Sequence, residues 1–423
     1  MKVLIVSHNP ISTYNNMGKT LGSLFAAFPA EELCQLYLHP SVPDTNACHS
    51  YYRITDRDVL MSYVKLRVKG GTIKPDTARH ELSDNTKSGM LYRKVKNIGA
   101  VKRLGRDLMW KLAHWYNKEL RAWIAAEAPT HIFVAPGMPK LLYYIAFKLS
   151  RKHSLPIITY ICDDYYFLKP VKSPLQRFAN WRLRTKIEKL MAKSAHGVFI
   201  CDPLKDAYRA RFSVEATTVM TGASLAAASA VSAYPSFSSL TYMGNLYYGR
   251  QNSLADIGKV LDALNAERGT DYALDIYTGE TDSATRALFA PIASVKLHGF
   301  VSGAEYTRVV EEAKAFVHVE GFGGEDMDLV KFSVSTKIAD SLSNGKVFVA
   351  YGPKEVASID HLVKNTCAFV ITDRESLKQG VAQVFDDEQL RVAYVNKALQ
   401  TTSRYHNTQT NSEKLRDIIK NIS

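Results

Sequence analysis

Ser335, Thr336, Lys337 and Asp340 open a short helical pattern, STKIADSLSNGK, which Asn344, Gly345 and Lys346 close before the apolar run VFVAYG. Ser and Thr often cap helices, so alone they say only that a helix begins. Lys337 and Asp340 lie three apart and share a helix face. A lysine in the first turn opposes the helix dipole by adding charge at its positive end, and an anionic ligand removes that conflict. These residue types suit a diphosphate held by Ser335, Thr336 and Lys337, with ribose hydroxyls donating to Asp340. The competing account is a solvated Lys337 to Asp340 ion pair worth about 0.3 kcal/mol.

Other stretches offer complementary chemistry. In YMGNLYYGRQN, Gly244 and Asn245 can turn the chain at a strand end, and Arg250 can present forked donors to a diphosphate; a plain turn with a solvated arginine is the alternative. In SHNPISTYNNMGKT, Gly18 permits close backbone approach at a helix start, with His8 and Asn16 as candidate acceptor-binding residues; a loop histidine can equally be merely solvated. Asp163 and Asp164 end an apolar strand, where they could orient an acceptor or stabilise positive charge at a sugar carbon, or else cap a loop. The letters Gly18-Lys19-Thr20 invite a P-loop reading, which predicts magnesium-dependent ATP hydrolysis through Lys19. A P-loop needs glycine where Thr13 stands and a tighter turn than this long loop provides. Asp326 and Asp328 form a D-x-D, a spacing common by chance, and no metal is expected there.

These residues need elements to position them. KVLIV followed by a polar loop and KTLGSLFAAF is a strand-loop-helix opening, and helices alternate with short apolar strands thereafter. That cadence predicts an α/β chain of two doubly wound parallel-sheet (Rossmann-like) domains facing across a cleft. The uncharged Ala/Ser-rich stretch 223–239 reads as a linker between an N-terminal domain, 1–222, and a C-terminal one, 240–400. Residues 401–423 are expected to form a helix returning to the N-terminal domain. Residues 51–100 are expected to be loops with some helix.

At 423 residues the chain is long enough for two domains of ordinary size, and its 46% apolar and 22% charged residues argue against disorder. The N-terminal apolar run is too short for a signal peptide, and five scattered cysteines lack metal spacing, so a cytoplasmic protein with reduced thiols is expected. The net charge of +13 divides unevenly: residues 1–237 carry 34 basic and 17 acidic side chains, residues 238–423 carry 20 and 24. From Lys87 to Arg121 basic residues alternate with aromatics such as Trp110 and Trp115. Such a face can adhere to anionic lipid or to nucleic acid, or be a solvated helix packed on its own domain. An anionic membrane surface is the expected partner and nucleic acid is not.

STKIADSLSNGKVFVAYGP resembles the donor-site helix of retaining, family 4-like glycosyltransferases of the GT-B class, and YMGNL with Arg250 is similar to that family's first C-terminal strand and diphosphate-contacting base. SHNPISTYNNMGKTLGSLF resembles its N-terminal Gly loop, and SAHGVFICDPLKDAYRARF its last N-domain strand and helix. The resemblance implies transfer of a hexosyl group from a nucleoside-diphosphate sugar to a polysaccharide or lipid-linked acceptor, with retention and without a metal cofactor. It places the donor on the C-terminal domain and the acceptor on the N-terminal one, in a bacterial capsule or lipopolysaccharide setting at the inner face of the membrane. Family members often carry a pair of spaced glutamates; if Asp340 fills the second place, the first falls on Phe332, which cannot act as an acid. VEGFGG resembles the segment around that first acid, so Glu320 fills the role across an insertion. The departure at Phe332 keeps open a non-catalytic protein of this fold that binds a sugar-nucleotide or nucleic acid.

Overall fold

The computed structural model describes residues 1–13, 16–65, 70–77, 99–168, 173–223 and 229–422, and of residues 16, 65, 99, 100, 325 and 326 only the backbone. The side chain of Asn16, linker residues 224–228 and the basic stretch before residue 99 therefore lie outside the described residues. Two compact units emerge: the described chain through Gly222 with the terminal helix Thr408–Lys420, and Ala223–Asn407.

The N-terminal unit is built on eight strands: β1 (Val3–Ser7), β2 (Leu33–Tyr37), β3 (Ser50–Arg53), β4 (Gly71–Ile73), β5 (His131–Val134), β6 (Ile157–Ile161), β7 (Ser194–Phe199) and β8 (Ala216–Thr218). Their order is β4-β3-β2-β1-β5-β6-β7-β8. β1, β2, β5 and β6 are buried at every position, as strands covered on both faces by helices must be, which explains runs such as VLIVS and IITYI. Neighbours pair in parallel except at one edge, where β4 runs antiparallel to β3. Within the described part of 51–100 the expected helix is present at Asp56–Lys65, while β3 and β4 stand where only loops were expected. Of the two readings of the stretch ending at Arg121, Trp110 and Trp115 follow the helix packed on its own domain: they are 1% and 5% exposed, and the Trp110 indole donates to Asp56 Oδ1 at 2.7 Å. Helix Thr408–Lys420 packs on helix Asn16–Leu24, with Ser412 Oγ donating to the Leu24 carbonyl at 2.8 Å and Arg416 paired to Glu32 at 2.8 Å.

The C-terminal unit holds six parallel strands: β9 (Ser239–Met243), β10 (Ala273–Tyr277), β11 (Val295–His298), β12 (Ala315–Val319), β13 (Val347–Tyr351) and β14 (Phe369–Ile371). The order β11-β10-β9-β12-β13-β14 reverses between β9 and β12, so the loops leaving these neighbouring strands diverge and open a crevice at their carboxyl ends. In the N-terminal unit the equivalent reversal lies between β1 and β5.

Candidate functional site

Glu320 directly follows β12, and Gly244 and Asn245 directly follow β9, so the strand order alone brings them to the C-terminal crevice. Arg250 begins helix Arg250–Arg268, behind Gly249 in the left-handed region at φ 75°. Its Nη2 lies 2.9 Å and its Nε 3.1 Å from Glu320 Oε2, while Nη1 donates to Asn245 Oδ1 at 2.8 Å. Glu320 is 1% exposed and is held by further donors: Ser358 Oγ and His318 Nε2 each stand 3.2 Å from Oε1, and Ser253 Oγ donates to its backbone carbonyl at 2.8 Å. Burial alone would raise the Glu320 carboxyl, but the His318 hydrogen bond and the Arg250 charge and donors outweigh it and hold it below the usual carboxylate range. The same carboxylate raises the Arg250 guanidinium against the opposing effect of its own burial.

Above this pair lies a pocket walled by helices Gly303–Glu312 and Thr336–Ser343. Tyr306 faces it from the first, Lys337 and Asp340 from the second, with Phe316 and Phe348 on the sheet side. The Lys337 ammonium reaches the end of β9: a Cβ on Gly244 would stand 3.0 Å from Lys337 Nζ and 2.8 Å from the Tyr242 hydroxyl. Ser335 occupies the N-cap of helix Thr336–Ser343 with its carbonyl accepting from Ile338 at 3.1 Å, and its side chain makes no capping hydrogen bond. Burial and the Asp340 charge together raise the Tyr306 phenol.

Of the residues marked in the sequence, Arg250, Ser335, Lys337 and Asp340 line this pocket, Asn245 and Glu320 bind Arg250 at its edge, and Gly244 adjoins Lys337. Thr336 opens the helix without lining the pocket. Phe332 packs beneath the Lys331 ammonium, whose Nζ is 5.4 Å from the ring centre. Asp328 lies on helix Gly324–Val330, and the Asp326 side chain is outside the described residues. Tyr306, His318 and Ser358 were not singled out in the sequence. The signal for His318 is present in AFVHV, since a polar side chain inside a strand buried on both faces needs a partner.

The marked residues of the N-terminal unit are arranged differently. The loop after β1 is pinned by its own unit: Ile11 N–H donates to Gln35 Oε1 at 3.0 Å, and Thr13 donates from N to Asp44 Oδ2 at 3.0 Å and also from its hydroxyl. A Cβ on Gly18 would come within 2.7 Å of the Pro10 carbonyl oxygen, so this glycine serves the packing of the helix against its own loop. With a carboxylate already on the Thr13 amide, the segment around Lys19 does not form a phosphate cradle.

His8 directly follows β1 at the strand-order reversal. Among the described residues its buried Nδ1 has no hydrogen-bond partner, and burial, then the charges of Arg106 and His39, lower its pKa to about 4 against the opposing pull of Asp56. Asp164 is a loop cap: Oδ1 accepts from the Tyr166 amide at 2.8 Å and the Tyr208 hydroxyl at 3.3 Å, and Oδ2 from the Phe167 amide at 3.1 Å. Burial raises its carboxyl despite these donors. Asp163 is half-buried beside it, 3.4 Å from the Tyr165 hydroxyl.

No protein-family profile and no curated protein matches the sequence. Solved structures do match the whole chain. HepE of Anabaena, in complex with UDP and glucose, is 12% identical with a TM-score of 0.62, and the match covers 100% of both chains. Sucrose-phosphate synthase of Thermosynechococcus elongatus is 11% identical with a TM-score of 0.59, covering 99% of this chain and 98% of that one. WaaG, a glycosyltransferase involved in lipopolysaccharide biosynthesis, is 11% identical with a TM-score of 0.57, covering 99% and 100%. The chain therefore has the two-domain GT-B fold.

Proposed function

We propose that this protein is a glycosyltransferase that takes a sugar from a nucleoside-diphosphate donor bound by its C-terminal unit. The observation that carries the reading is Lys337: its ammonium stands at the start of a helix, across the crevice floor from Gly244 and on the same pocket as Arg250 and Asp340. Helix N-terminus and ammonium together favour the charge that grows on a departing diphosphate as the glycosidic bond breaks. Ser335 supplies a hydroxyl to the phosphates and Asp340 accepts from ribose hydroxyls. Arg250 has one Nη1 proton left after Asn245 and Glu320 take the others, enough for one phosphate oxygen. With the Lys337 ammonium and the helix N-terminus in place the transfer is proposed to need no metal cofactor. Glu320 acts by fixing Arg250, a positioning role, since its oxygens are already occupied by donors.

The fold likeness to WaaG, a glycosyltransferase involved in lipopolysaccharide biosynthesis, supports a polysaccharide or lipid-linked acceptor, which is proposed to be presented by the N-terminal unit at an anionic membrane surface; retention of anomeric configuration is proposed from the family 4-like motifs of the sequence. His8 and Asp163, at the carboxyl ends of β1 and β6, are the side chains proposed to meet the acceptor. Among the described residues no helix is long and apolar enough to cross a membrane.

The test is a panel of nucleotide-sugars incubated with the protein, reading nucleoside diphosphate released with and without acceptor lipid extract and in the presence of a chelator. Release that survives chelation and is abolished by Lys337→Ala is expected. Tight nucleotide-sugar binding with no release under any condition would instead identify a non-catalytic binder.

A further inference from the structure

Helix Pro174–Met191 of the N-terminal unit buries one stripe, Ala179, Leu183, Ile187 and Leu190, spaced three or four apart as an inward helix face must be. Phe178 and Trp181 lie on the opposite side and are 49% and 59% exposed, with ring centres 5.8 Å apart. At 100° per residue, Arg182 and Lys189 flank the two rings on one side and Arg177 flanks them on the other. The Arg182 guanidinium sits 5.9 Å from the Phe178 ring centre. This helix packs against helix Gly99–Leu112, which adds exposed Leu108 and Leu112, 56% and 59% accessible, and Lys111 between them. The cations are mutual neighbours: after burial, the charges of Lys189, Arg182 and Lys111 are among those that lower the Lys186 ammonium.

Large exposed aromatics mark an interaction surface, and here cations frame them. A second copy of the chain would bring two such cation clusters face to face, which like-charge repulsion disfavours. A bilayer rich in anionic headgroups satisfies both features at once, taking the rings into the interfacial region and the cations onto phosphates. We propose that the outward face of helix Pro174–Met191, centred on Phe178 and Trp181 and continued by Leu108 and Lys111, docks the protein onto an anionic lipid surface. The inference deepens the functional reading by naming where a membrane-bound acceptor is met, and it moves the adhesive aromatics from the 87–121 stretch to a different helix.

The test needs neither donor nor acceptor, so its outcome is independent of the transfer reading. The full chain is sedimented with vesicles of phosphatidylglycerol and phosphatidylcholine in equal parts, and with phosphatidylcholine alone. Binding to the anionic vesicles only is expected, with a blue shift of tryptophan emission that disappears in Trp181→Phe. The Phe178→Ala, Trp181→Ala double variant should bind roughly tenfold more weakly, and Arg182→Ala or Lys189→Ala about fivefold more weakly each. The melting temperature should not move, because these side chains are exposed. Equal binding to neutral vesicles, or undiminished binding by the double variant, would overturn the proposal. So would a dimer that the double variant dissociates, or a single-stranded oligonucleotide retained through the same rings.

Discussion

Arg250 and Glu320 neutralise one another at the floor of the C-terminal crevice, with Nη2 to Oε2 at 2.9 Å and the carboxylate 1% exposed. A ligand entering this crevice therefore meets an arginine whose charge is already compensated. The pair fixes geometry: the guanidinium plane is set by the carboxylate, and the carboxylate by Ser358 and His318. Strand order is the cause, since β9 and β12 are neighbours, Glu320 lies just past the carboxyl end of β12 and Arg250 opens the helix that follows β9.

Removing one partner strands the other. Glu320→Gln leaves a largely buried guanidinium without its counter-charge and should lower unfolding free energy by about 3 kcal/mol at neutral pH. The folded Glu320 carboxyl titrates below its unfolded value, so the stabilisation is fully present above the unfolded carboxylate range and is lost as pH falls through the folded value. Urea unfolding from about pH 6 down to pH 3 should thus show the wild type losing its advantage over Glu320→Gln in acid. A constant gap between the two curves across that range would contradict the assignment.

Lys337 is the cation that distinguishes a diphosphate seat from a structural crevice. Lys337→Ala should reduce diphosphate release by on the order of a hundredfold, with nucleotide-sugar affinity falling less. Lys337→Arg should restore part of the affinity and little of the turnover, because the longer planar group cannot occupy the space beside Gly244. Turnover measured under saturating donor separates the two effects. Wild-type turnover in Lys337→Ala would remove the proposed role.

The alternation of apolar strands and helices was enough to read two parallel-sheet units, because strands buried on both faces leave continuous runs such as VLIVS and VFVAY. The short edge strand β4, GTI, buries little of itself and carries no such run. The helix start at Ser335 was legible from cap residues and from a lysine placed against the dipole. What could not be read was pairing: nothing in the local sequence says that Arg250 will meet Glu320, seventy residues away, in preference to solvent. The aromatic residues misled for a related reason. Trp110 and Trp181 both sit among basic residues, and only packing decides that the first is core and the second surface.

Gly18 separates a packing role from a ligand role. Because a methyl group there meets a backbone oxygen and the Ser12 Cβ at 2.7 Å each, Gly18→Ala must shift the loop and should destabilise the protein by about 1–3 kcal/mol. Nucleotide-sugar binding by the C-terminal unit should be unaffected at temperatures where the variant stays folded. Differential scanning calorimetry with calorimetric titration of donor checks both halves. A variant of unchanged melting temperature that loses donor affinity would return Gly18 to the donor site.

His8 gives the N-terminal unit a pH signature of its own. Its pKa falls to about 4 chiefly by burial, so the ring is neutral throughout the neutral range and protonates only in acid. The folded value lies below the unfolded one of about 6.5, so the unfolded chain takes up the proton first. Stability is therefore complete above about pH 6.5 and erodes between there and about pH 4, by up to roughly 3 kcal/mol. His39, lowered by burial as well, erodes stability in the same direction, which makes the single-site variant necessary. His8→Gln should flatten the slope of stability against pH in that window, and the ring proton resonances of His8 should titrate near pH 4. A hydrogen bond from an acceptor hydroxyl to the neutral ring should push this titration lower still. A His8 resonance titrating near 6.5 would mean that the ring is solvated and plays neither part.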